Sequence, residues 1–231
     1  MISIKGLVVG YGDKKVLNGI DWSLETGRIH GLAGLNGSGK TTLMKALFGI
    51  IKPESGSMEI NSAPFKKRML SFLETEPYFY HGITGEEYLS LFISGGIVKF
   101  IAEEWATMFH LPLNELIDNY STGMKKKLAL LGVIKTNKPL LLLDEPYNGL
   151  DLESSRILTA VLKKLKQAGK TIIITSHVLE SLTNLCDQIH YLKNGVIDKT
   201  YLPHDLMLMN DEIFKELDQN IENKIDDLLK P

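Results

Sequence analysis

The stretch that decides the fold reads Gly34-Leu35-Asn36-Gly37-Ser38-Gly39-Lys40-Thr41. It follows a predicted strand (29–33) and opens a predicted helix (about 40–48), which is the context that a phosphate-binding loop requires. The glycines let the backbone curl so that several N–H groups point inward at phosphate oxygens, and the positive end of the helix adds to that field. A merely flexible loop is disfavoured, because three spaced glycines precede the Lys-Thr pair. The stretch predicts an α/β fold built around a phosphate site.

Each part of this loop has its own task toward a bound phosphate chain. Lys40 can reach the terminal phosphates as a point charge, which also makes it a candidate catalytic residue, and the Thr41 hydroxyl can ligate Mg²⁺. The residues expected to bind the phosphates are Asn36, Gly37, Ser38, Gly39, Lys40, Thr41 and Thr42. The loop alone identifies phosphate binding and leaves the chemistry open.

A second motif, Leu140-Leu141-Leu142-Leu143-Asp144-Glu145-Pro146, is typical of a strand that is buried on both faces and ends in two carboxylates. Because ligands gather at the carboxyl ends of strands in open α/β sheets, Asp144 is expected beside the phosphate loop, where it holds Mg²⁺ directly or through water. Glu145 points the other way and can take a proton from an attacking water. The alternative is a strand end that simply reaches solvent, and two adjacent carboxylates after four leucines disfavour it, since each buried charge needs a partner.

The remaining pattern alternates between strands and helices. Apolar periodicity predicts further strands at 2–9, 16–24, 58–60, 69–73, 171–175, 188–192 and 196–199. Helical periodicity covers 84–135 and 151–167, a further helix passes through Ser181, and the acidic segment 210–229 has the spacing of an amphipathic helix. The pattern therefore predicts an α/β core with a helical insertion between Thr84 and Lys135.

Composition excludes several classes of protein. The 231 residues carry a formal net charge of −2, so the chain lacks the global basic field of a non-specific nucleic-acid binder. Its one cysteine, Cys186, fits a reducing compartment. No signal peptide is expected from the N-terminal residues, and the longest apolar runs fall far short of the ~20 residues needed to cross a bilayer. Any membrane role must therefore depend on another chain.

Three further segments narrow the family. Tyr120-Ser121-Thr122-Gly123-Met124 precedes a predicted helix, Asn148-Gly149-Leu150-Asp151 follows the acidic motif, and Ser176-His177 ends a β-branched strand. In this order, after a phosphate-binding loop, they resemble the ATP-binding cassette family of ABC transporters, and the resemblance extends to about residue 200. It implies a P-loop NTPase (RecA-like) core with an N-terminal antiparallel β region and an inserted helical subdomain.

The resemblance also assigns roles and cofactors. It implies that the chain binds ATP and Mg²⁺, that Tyr11 stacks on the adenine, and that Glu145 and His177 are catalytic, with His177 contacting the γ-phosphate. In the family, the serine-glycine segment of one subunit faces the ATP held by the other. Ser121 and Gly123 would thus bind nucleotide in trans, with two ATP molecules enclosed in a head-to-tail dimer.

The family also implies the partners and the location. We expect a separate transmembrane subunit, a homodimer or a heterodimer with another ATP-binding subunit, no nucleic acid, and a peripheral position on the cytoplasmic face of the cell membrane. The serine-glycine segment is the family's signature loop. Its form here, Tyr-Ser-x-Gly-Met, is more similar to the signature of bacterial exporters than to that of importers.

Two residues depart from the family pattern. Met124 stands where a glutamine is usual, and Thr75 occupies the glutamine position of the loop that contacts metal and water. Thr75 is a possible metal contact, although its hydroxyl is too short to replace glutamine without a bridging water, and Glu74 or Glu76 could substitute. The three lysines at 125–127 are interpreted as a solvated helix face rather than as a phosphate-steering patch.

We predict a single ABC ATPase domain over 1–231. Residues 1–83 and 136–200 form its nucleotide-binding core, 84–135 its helical subdomain and 201–231 its helical tail.

Two alternative functions are also considered for this chain. One is an ABC-type ATPase that acts on nucleic acid or ribosomes. The other is a catalytically weak, nucleotide-controlled clamp in a heterodimer, suggested by Thr75 and Met124 and opposed by the presence of Glu145 and His177.

Overall fold

The computed structural model describes residues 1–93, 95, 100–177 and 179–205, together with seven isolated positions between 209 and 228. The strands within it are β1 (Ile2–Tyr11), β2 (Lys14–Leu24), β3 (Ile29–Ala33), β4 (Ser55–Ile60), β5 (Ala63–Pro64), β6 (Leu70–Leu73), β7 (Leu140–Leu143), β8 (Thr171–Thr175), β9 (Gln188–Lys193) and β10 (Val196–Tyr201). The α-helices are α1 (Lys40–Phe48), α2 (Gly85–Ser90), α3 (Ala102–Met108), α4 (Thr122–Lys135), α5 (Leu152–Gln167) and α6 (Leu179–Thr183). The predicted tail helix, 210–229, falls mainly outside the described residues.

The strands form two sheets. The first is antiparallel, with the order β2-β1-β4-β5. The second has the order β10-β9-β3-β8-β7-β6, in which every neighbouring pair is parallel except β9 with β10. Non-consecutive neighbours in a parallel sheet require crossover connections, which helices provide here. The predicted α/β class and its N-terminal antiparallel region are both confirmed.

The parallel sheet is buried on both faces, as a run of four leucines predicts. In β7, Leu141 and Leu143 pack into one hydrophobic cluster while Leu140 and Leu142 pack into the other. The first cluster includes residues of α4 and α5, and the second includes residues of α1 and of the antiparallel sheet. Because side chains alternate along a strand, a continuous apolar run is what two covered faces require.

The segment between Thr84 and Lys135 contains α2, α3 and α4. Helix α2 begins with a capping box, in which the Thr84 hydroxyl accepts from the Glu87 N–H and the Glu87 carboxylate accepts from the Thr84 N–H. Helix α4 is buried over most of its length. No helix in the described part of the chain has the length and apolar character to span a bilayer.

The interpretation of residues 125–127 as a solvated helix face is wrong for two of the three lysines. Lys126 and Lys127 are buried, with exposed fractions of 3% and 8%, and only Lys125 has an intermediate exposure. A long lysine side chain can lie along apolar surface while its ammonium group reaches polar partners. Such partners are present for both buried lysines, and they lie close to the functional site.

Two buried histidines, His30 in β3 and His190 in β9, form a row of hydrogen bonds from the turn before β3 to β10. His30 Nε2 donates to the carbonyl of Glu25 (2.8 Å), so His30 Nδ1 accepts from His190 Nε2 (3.2 Å) when both rings are neutral. His190 Nδ1 in turn accepts from the Thr200 hydroxyl (2.9 Å). Burial lowers the pKa of both rings, that of His190 to about 3, with the neighbouring His30 as a further cause. The chain of hydrogen bonds therefore depends on two neutral rings.

This histidine pair predicts a loss of stability in mild acid. The folded-state pKa of His190 lies below its ordinary value of 6.5, so between these values the unfolded chain binds more protons and the free energy of unfolding rises with pH. The stabilisation is complete above pH 6.5 and declines as the pH falls below it. His190 should account for about 2 kcal/mol of lost stability between neutral pH and pH ~5.

Urea unfolding across this pH range checks the expectation. His190→Gln should show a shallower dependence of unfolding free energy on pH than the parent protein. His204→Gln, at an exposed histidine, should leave the dependence unchanged. An equally steep dependence in His190→Gln would contradict the assignment.

Candidate nucleotide-binding site

A cavity of about 570 Å³ opens at the carboxyl ends of the parallel strands, over the start of α1. Its lining residues are Val16, Asn36, Gly37, Gly39, Lys40, Thr41, Thr42, Thr75, Glu145, Asn148 and His177. Most of the residues predicted from three separate motifs are therefore brought to one cavity. Val16 belongs to none of the motifs, and Asn148 was quoted only as part of the segment 148–151 with no role of its own, because neither residue has a type that indicates chemistry by itself.

The phosphate-binding loop wraps around the first turn of α1. Gly39 precedes that helix with φ 108°, and a Cβ there would lie 2.9 Å from Leu17 Cδ2. Only glycine suits such a backbone and such a close approach. The Lys40 ammonium group donates to the carbonyls of Gly34 (2.6 Å) and Leu35 (3.2 Å). A cation and a helix N-terminus thus meet at the base of the cavity, which is the arrangement that binds phosphate.

Lys40 is largely buried, and this affects its charge. Burial lowers the pKa of its ammonium group, while Glu145 and Asp144 raise it. The two carboxylates therefore help to keep the lysine protonated. A desolvated cation interacts more strongly with phosphate than one in water does.

Asp144 lies beneath the cavity wall, with an exposed fraction of 1%. Its Oδ1 accepts a hydrogen bond from the Thr175 hydroxyl (2.6 Å), and its Oδ2 accepts one from the Thr75 hydroxyl (2.8 Å). Both oxygens of the buried carboxylate thus have a partner, as a buried charge requires. Thr75 bonds this carboxylate without an intervening water, so any effect it has on a metal at Asp144 would pass through the carboxylate.

Glu145 has an unusual backbone conformation, with φ 51°. Its N–H donates to the Thr175 hydroxyl (2.9 Å), and its Oε2 accepts from His177 Nδ1 (3.0 Å) and from the His177 N–H (3.3 Å). A left-handed conformation is costly for a non-glycine residue, by about 1–3 kcal/mol, and is found where the surroundings impose it. The side chain that this backbone carries ends in a carboxylate bonded to His177.

Sequence reasoning missed Thr175, which bonds both acidic residues of the site. Its fully buried hydroxyl donates to the Asp144 carboxylate and accepts from the Glu145 N–H. The parallel register was the available signal, because Leu143 pairs with Ile174 and the next residue of each strand is Asp144 and Thr175. Choosing this register from the sequence requires knowing that β7 and β8 are neighbours.

A second cavity, of about 620 Å³, lies on the other side of the phosphate-binding loop. It is lined by Lys14, Lys15, Val16, Asn18, Leu35, Asn36, Gly37, Ser38, Tyr191, Leu192, Lys193, Asn194 and Gly195. The two cavities share Val16, Asn36 and Gly37. Tyr11, at the end of β1, is 55% exposed and is not among the described residues that line either cavity.

Comparison with known proteins identifies the family of this chain. The family model for ABC transporters matches residues 17–148. The chain belongs to the ABC transporter family. An uncharacterised ABC transporter ATP-binding protein of Methanocaldococcus jannaschii is 35% identical over 203 residues, which cover 84% of this chain and 74% of that protein.

Two further relatives have more specific names. The bacitracin transport ATP-binding protein of Enterococcus faecalis is 33% identical and covers 84% of this chain and 67% of its own length. A Nod factor export ATP-binding protein of Burkholderia orbicola is 30% identical and covers 89% of this chain and 72% of its own. The transported compounds in these names are those of the relatives.

Solved structures agree with this assignment. An ATP-binding subunit of an ABC transporter is 26% identical, with a TM-score of 0.81, and covers 94% of this chain and 99% of its own. A dimeric ATP-binding cassette in a post-hydrolysis state with ADP and phosphate has a TM-score of 0.76 at 21% identity, with 88% and 99% covered, and so shares the fold. The predicted P-loop NTPase core is confirmed, and the chain is an ABC ATPase that binds and hydrolyses ATP.

The signature segment of this ABC ATPase lies apart from the Lys40 cavity. Ser121 caps α4 by accepting from the Met124 N–H (3.2 Å) and is exposed. A Cβ on Gly123 would lie 2.5 Å from the carbonyl oxygen of Gly149, so the signature segment packs directly on the loop that leads to Asp151. Neither Ser121 nor Gly123 is among the described residues that line the cavity of Lys40.

Asp151 fastens the two helix starts together. It caps α5 by accepting from the Ser154 N–H (2.7 Å), and its Oδ2 accepts from the Lys127 ammonium group of α4 (2.9 Å). The hydrogen bond from Ser154 and the one from Lys127 hold the pKa of Asp151 well below its usual range. The segment 148–151 and α4, the helix that follows the serine-glycine signature, therefore form one local unit in this ABC ATPase.

The Thr175 hydroxyl yields a prediction for turnover. Thr175→Val keeps the shape of the side chain but removes the donor to Asp144 and the acceptor for the Glu145 N–H. We expect kcat for ATP hydrolysis to fall at least ~10-fold, because the Asp144 carboxylate and the Glu145 backbone lose their common hydrogen-bond partner. ATP affinity should change little, since the phosphate-binding loop is untouched.

Steady-state ATPase assays and equilibrium ATP binding measure these two quantities. Thr175→Ser retains the hydroxyl group and is the matched control, so it should recover most of the activity. If Thr175→Val and Thr175→Ser turn over equally fast, the hydroxyl has no part in positioning the carboxylates.

Proposed function

We propose that this ABC ATPase works as a dimer that encloses two ATP molecules, and that it drives export through a separate transmembrane subunit on the cytoplasmic face of the membrane. The observation that supports a dimer is that Ser121 is not among the described residues lining the cavity that contains Lys40 and Glu145. A serine at a helix N-terminus suits a γ-phosphate, and the one in this chain is not among the described residues that line the cavity of its own phosphate loop. A second copy, arranged head to tail, would complete the site.

The ATP itself would extend across both cavities. The triphosphate lies over the loop amides and Lys40, and the nucleoside extends past Val16 toward the second cavity. Tyr11 remains a proposed stacking partner for the adenine, and its exposure leaves its ring free to meet a base. The shared residues Val16, Asn36 and Gly37 mark the crossing point.

Hydrolysis would use the carboxylate of Glu145, the residue after Asp144. Glu145 accepts a proton from the attacking water, and His177, which already donates to Glu145, orients this carboxylate and contacts the γ-phosphate. The Lys40 ammonium group stabilises the charge that develops on the transferred phosphoryl group. Most of the rate enhancement would come from positioning and charge, as is general for phosphoryl transfer.

The residues fit a magnesium ion. Thr41 lines the cavity, and the buried Asp144 carboxylate is hydrogen-bonded to Thr75, which also lines it, so the available donors are the oxygens that Mg²⁺ prefers. The described residues include no group of three or more His, Cys, Asp or Glu side chains able to hold a metal. This suits a Mg²⁺ ion that takes most of its ligands from phosphates and water. When bound, it would neutralise charge on the phosphates, and Thr75 would act on it through Asp144.

The dimer predicts a specific behaviour of Glu145→Gln. This variant should bind ATP without hydrolysing it and should therefore accumulate as a dimer, because the bridging γ-phosphate persists. Light scattering with size-exclusion chromatography, with and without ATP and Mg²⁺, measures the mass. A strictly monomeric Glu145→Gln protein that has ATP bound would contradict the proposal.

Two variants in the Glu145→Gln background control this experiment. Adding Ser121→Asp preserves the helix cap but places a negative charge opposite the γ-phosphate, so ATP should bind without dimerisation. Adding Lys40→Ala should abolish both ATP binding and dimerisation. A dimer that persists with Ser121→Asp would mean that Ser121 does not face the nucleotide of the second copy.

The membrane partner would dock beside the start of α2. Tyr78 and Tyr80 are 74% and 56% exposed and pack edge to face, with ring centroids 5.4 Å apart. Next to them, a groove of about 180 Å³ is lined by residues of β6, α2 and α4, among them Phe72, Tyr88 and Val133. We propose that this groove, between the nucleotide-binding core (1–83 and 136–200) and the helical subdomain (84–135), receives a cytoplasmic helix of the transmembrane subunit.

The direction of transport rests on relatives. A Nod factor export protein is among them, and a bacitracin transport protein is another. The Tyr120-Ser121-Thr122-Gly123-Met124 form of the signature is also similar to that of bacterial exporters. We therefore propose export, by a complex in which this chain supplies ATP hydrolysis.

Co-purification tests the partner. From detergent-solubilised membranes of its own cells, the tagged chain should recover an integral membrane protein, and a Tyr78→Ser/Tyr80→Ser variant should recover ~10-fold less, since exposed aromatics dominate such contacts. Ile50→Ser, at another exposed apolar residue, is the control and should behave like the parent chain. Reproducible recovery of nucleic acid or ribosomes in place of a membrane protein would favour the alternative function.

A further inference from the structure

Lys126 places a buried ammonium group behind the catalytic site. It lies in the second turn of α4, five residues after Ser121, and only 3% of the residue is exposed. Its Nζ donates to the carbonyl oxygens of Thr75 (2.8 Å), Glu74 (3.0 Å) and Asp144 (3.4 Å). An ammonium group has three protons, so these three acceptors account for its donor capacity.

The three carbonyl groups belong to the ends of two neighbouring strands. Strands β6 and β7 pair in parallel up to Leu73 and Leu143, and the Asp144 N–H donates to the Leu73 carbonyl (2.9 Å). Beyond that point the two backbone segments are no longer paired as strands: one continues to Glu74 and Thr75, the other to Glu145. Lys126 bonds to both segments, so it fixes the spacing between the backbones of Thr75 and Asp144.

This spacing determines a side-chain contact in the catalytic site. The Thr75 hydroxyl donates to Asp144 Oδ2 over 2.8 Å, and hydrogen bonds weaken rapidly beyond about 3.2 Å. A shift of the Thr75 backbone by a few tenths of an ångström would therefore loosen the carboxylate. Lys126 itself is not among the described residues that line the cavity.

The position is a costly one for a cation. Burial lowers the pKa of Lys126 to about 8, while the charges of Asp144, Glu145 and Glu76 raise it. An apolar side chain would avoid the desolvation cost but could not hold three carbonyl groups. Lys127, one residue later, has a carboxylate partner in Asp151, whereas the hydrogen-bond partners of Lys126 are backbone oxygens.

We propose that Lys126 is a positioning residue for ATP hydrolysis. From the signature helix, it holds the backbones of Thr75 and Asp144 at the distance at which the Asp144 carboxylate stays aligned with the phosphate-binding loop. It touches neither the nucleotide nor the attacking water, and it acts through Thr75 and Asp144. In this chain, where threonine occupies the family's glutamine position, the alignment of Asp144 depends on the signature helix through this one ammonium group.

The first test is Lys126→Met, which keeps an unbranched apolar chain and removes the three donors. We expect kcat to fall ~10-fold or more, because small displacements of catalytic groups are costly. ATP affinity measured without Mg²⁺ should stay within ~2-fold of the parent value, since the Lys40 cradle is untouched. The Mg²⁺ concentration needed for half-maximal activity should rise. Lys125→Met, at the partly exposed neighbour, should change none of these quantities.

A double-mutant cycle distinguishes positioning from general stabilisation. If Lys126 acts through the Thr75–Asp144 contact, the effects of Lys126→Met and Thr75→Val on kcat should be strongly non-additive, because the second change removes a contact that is already lost. Additive effects would overturn the proposal. So would unaltered turnover in Lys126→Met, or a loss of ATP affinity as large as the loss of kcat.

A second variant keeps the proposal testable if Lys126→Met folds poorly. Lys126→Gln has no charge but offers two N–H donors to the same carbonyl groups, so it should recover part of kcat and Mg²⁺ dependence. The cycle can then be completed with Lys126→Gln in place of Lys126→Met. If the effect of Lys126→Gln on kcat simply adds to that of Thr75→Val, Lys126 does not act through the Thr75–Asp144 contact and the proposal is overturned.

Discussion

A negative charge buried almost completely beneath a cavity constrains the whole site. The Asp144 carboxylate cannot be placed there without partners, since an unpaired buried charge would cost several kcal/mol or more. The structure supplies a hydroxyl group for each oxygen, from the chain after β6 and from the end of β8, and places a buried cation behind the backbone. The neighbouring strands and α4 therefore have to meet at one point.

The parallel sheet makes this meeting possible. Strands β3, β8, β7 and β6 run in the same direction side by side, so their carboxyl ends share one edge. The phosphate-binding loop, the residue pair Asp144–Glu145 and His177 follow these ends, and Thr175 is the last residue of β8. Each motif is local in sequence, and the order of the strands alone determines which motifs become neighbours. The alternating apolar faces of β7 then hold the edge rigid by packing on both sides.

Much of the fold could be predicted because its signals are local. The glycine pattern before Lys40 and the leucine run of β7 each determine a strand or loop without reference to distant residues, and both lie where the sequence predicts. Thr175 and Lys126 could not be assigned in this way. Thr175 resembles any β-branched strand residue until the β7–β8 register is known, and Lys126 lies in a run of lysines that is indistinguishable from a solvated face.

Tyr11 and Ser121 illustrate the other limit. Each is recognisable from the family pattern, yet neither lines the described cavity of a single chain. Their roles depend on contacts with a nucleotide and with a second copy, and one sequence does not encode the geometry of these contacts locally.

The Thr175 hydroxyl has one hydrogen to give, and Asp144 receives it, while its lone pair accepts from Glu145. The group that would carry metal chemistry and the group that would carry proton transfer are thus mechanically linked through a single oxygen atom. A rotation of the Thr175 side chain about its Cα–Cβ bond would disturb the Asp144 carboxylate and the Glu145 backbone together. For an enzyme that should hydrolyse ATP only in one arrangement, such a shared pivot would make switching off a single event rather than two.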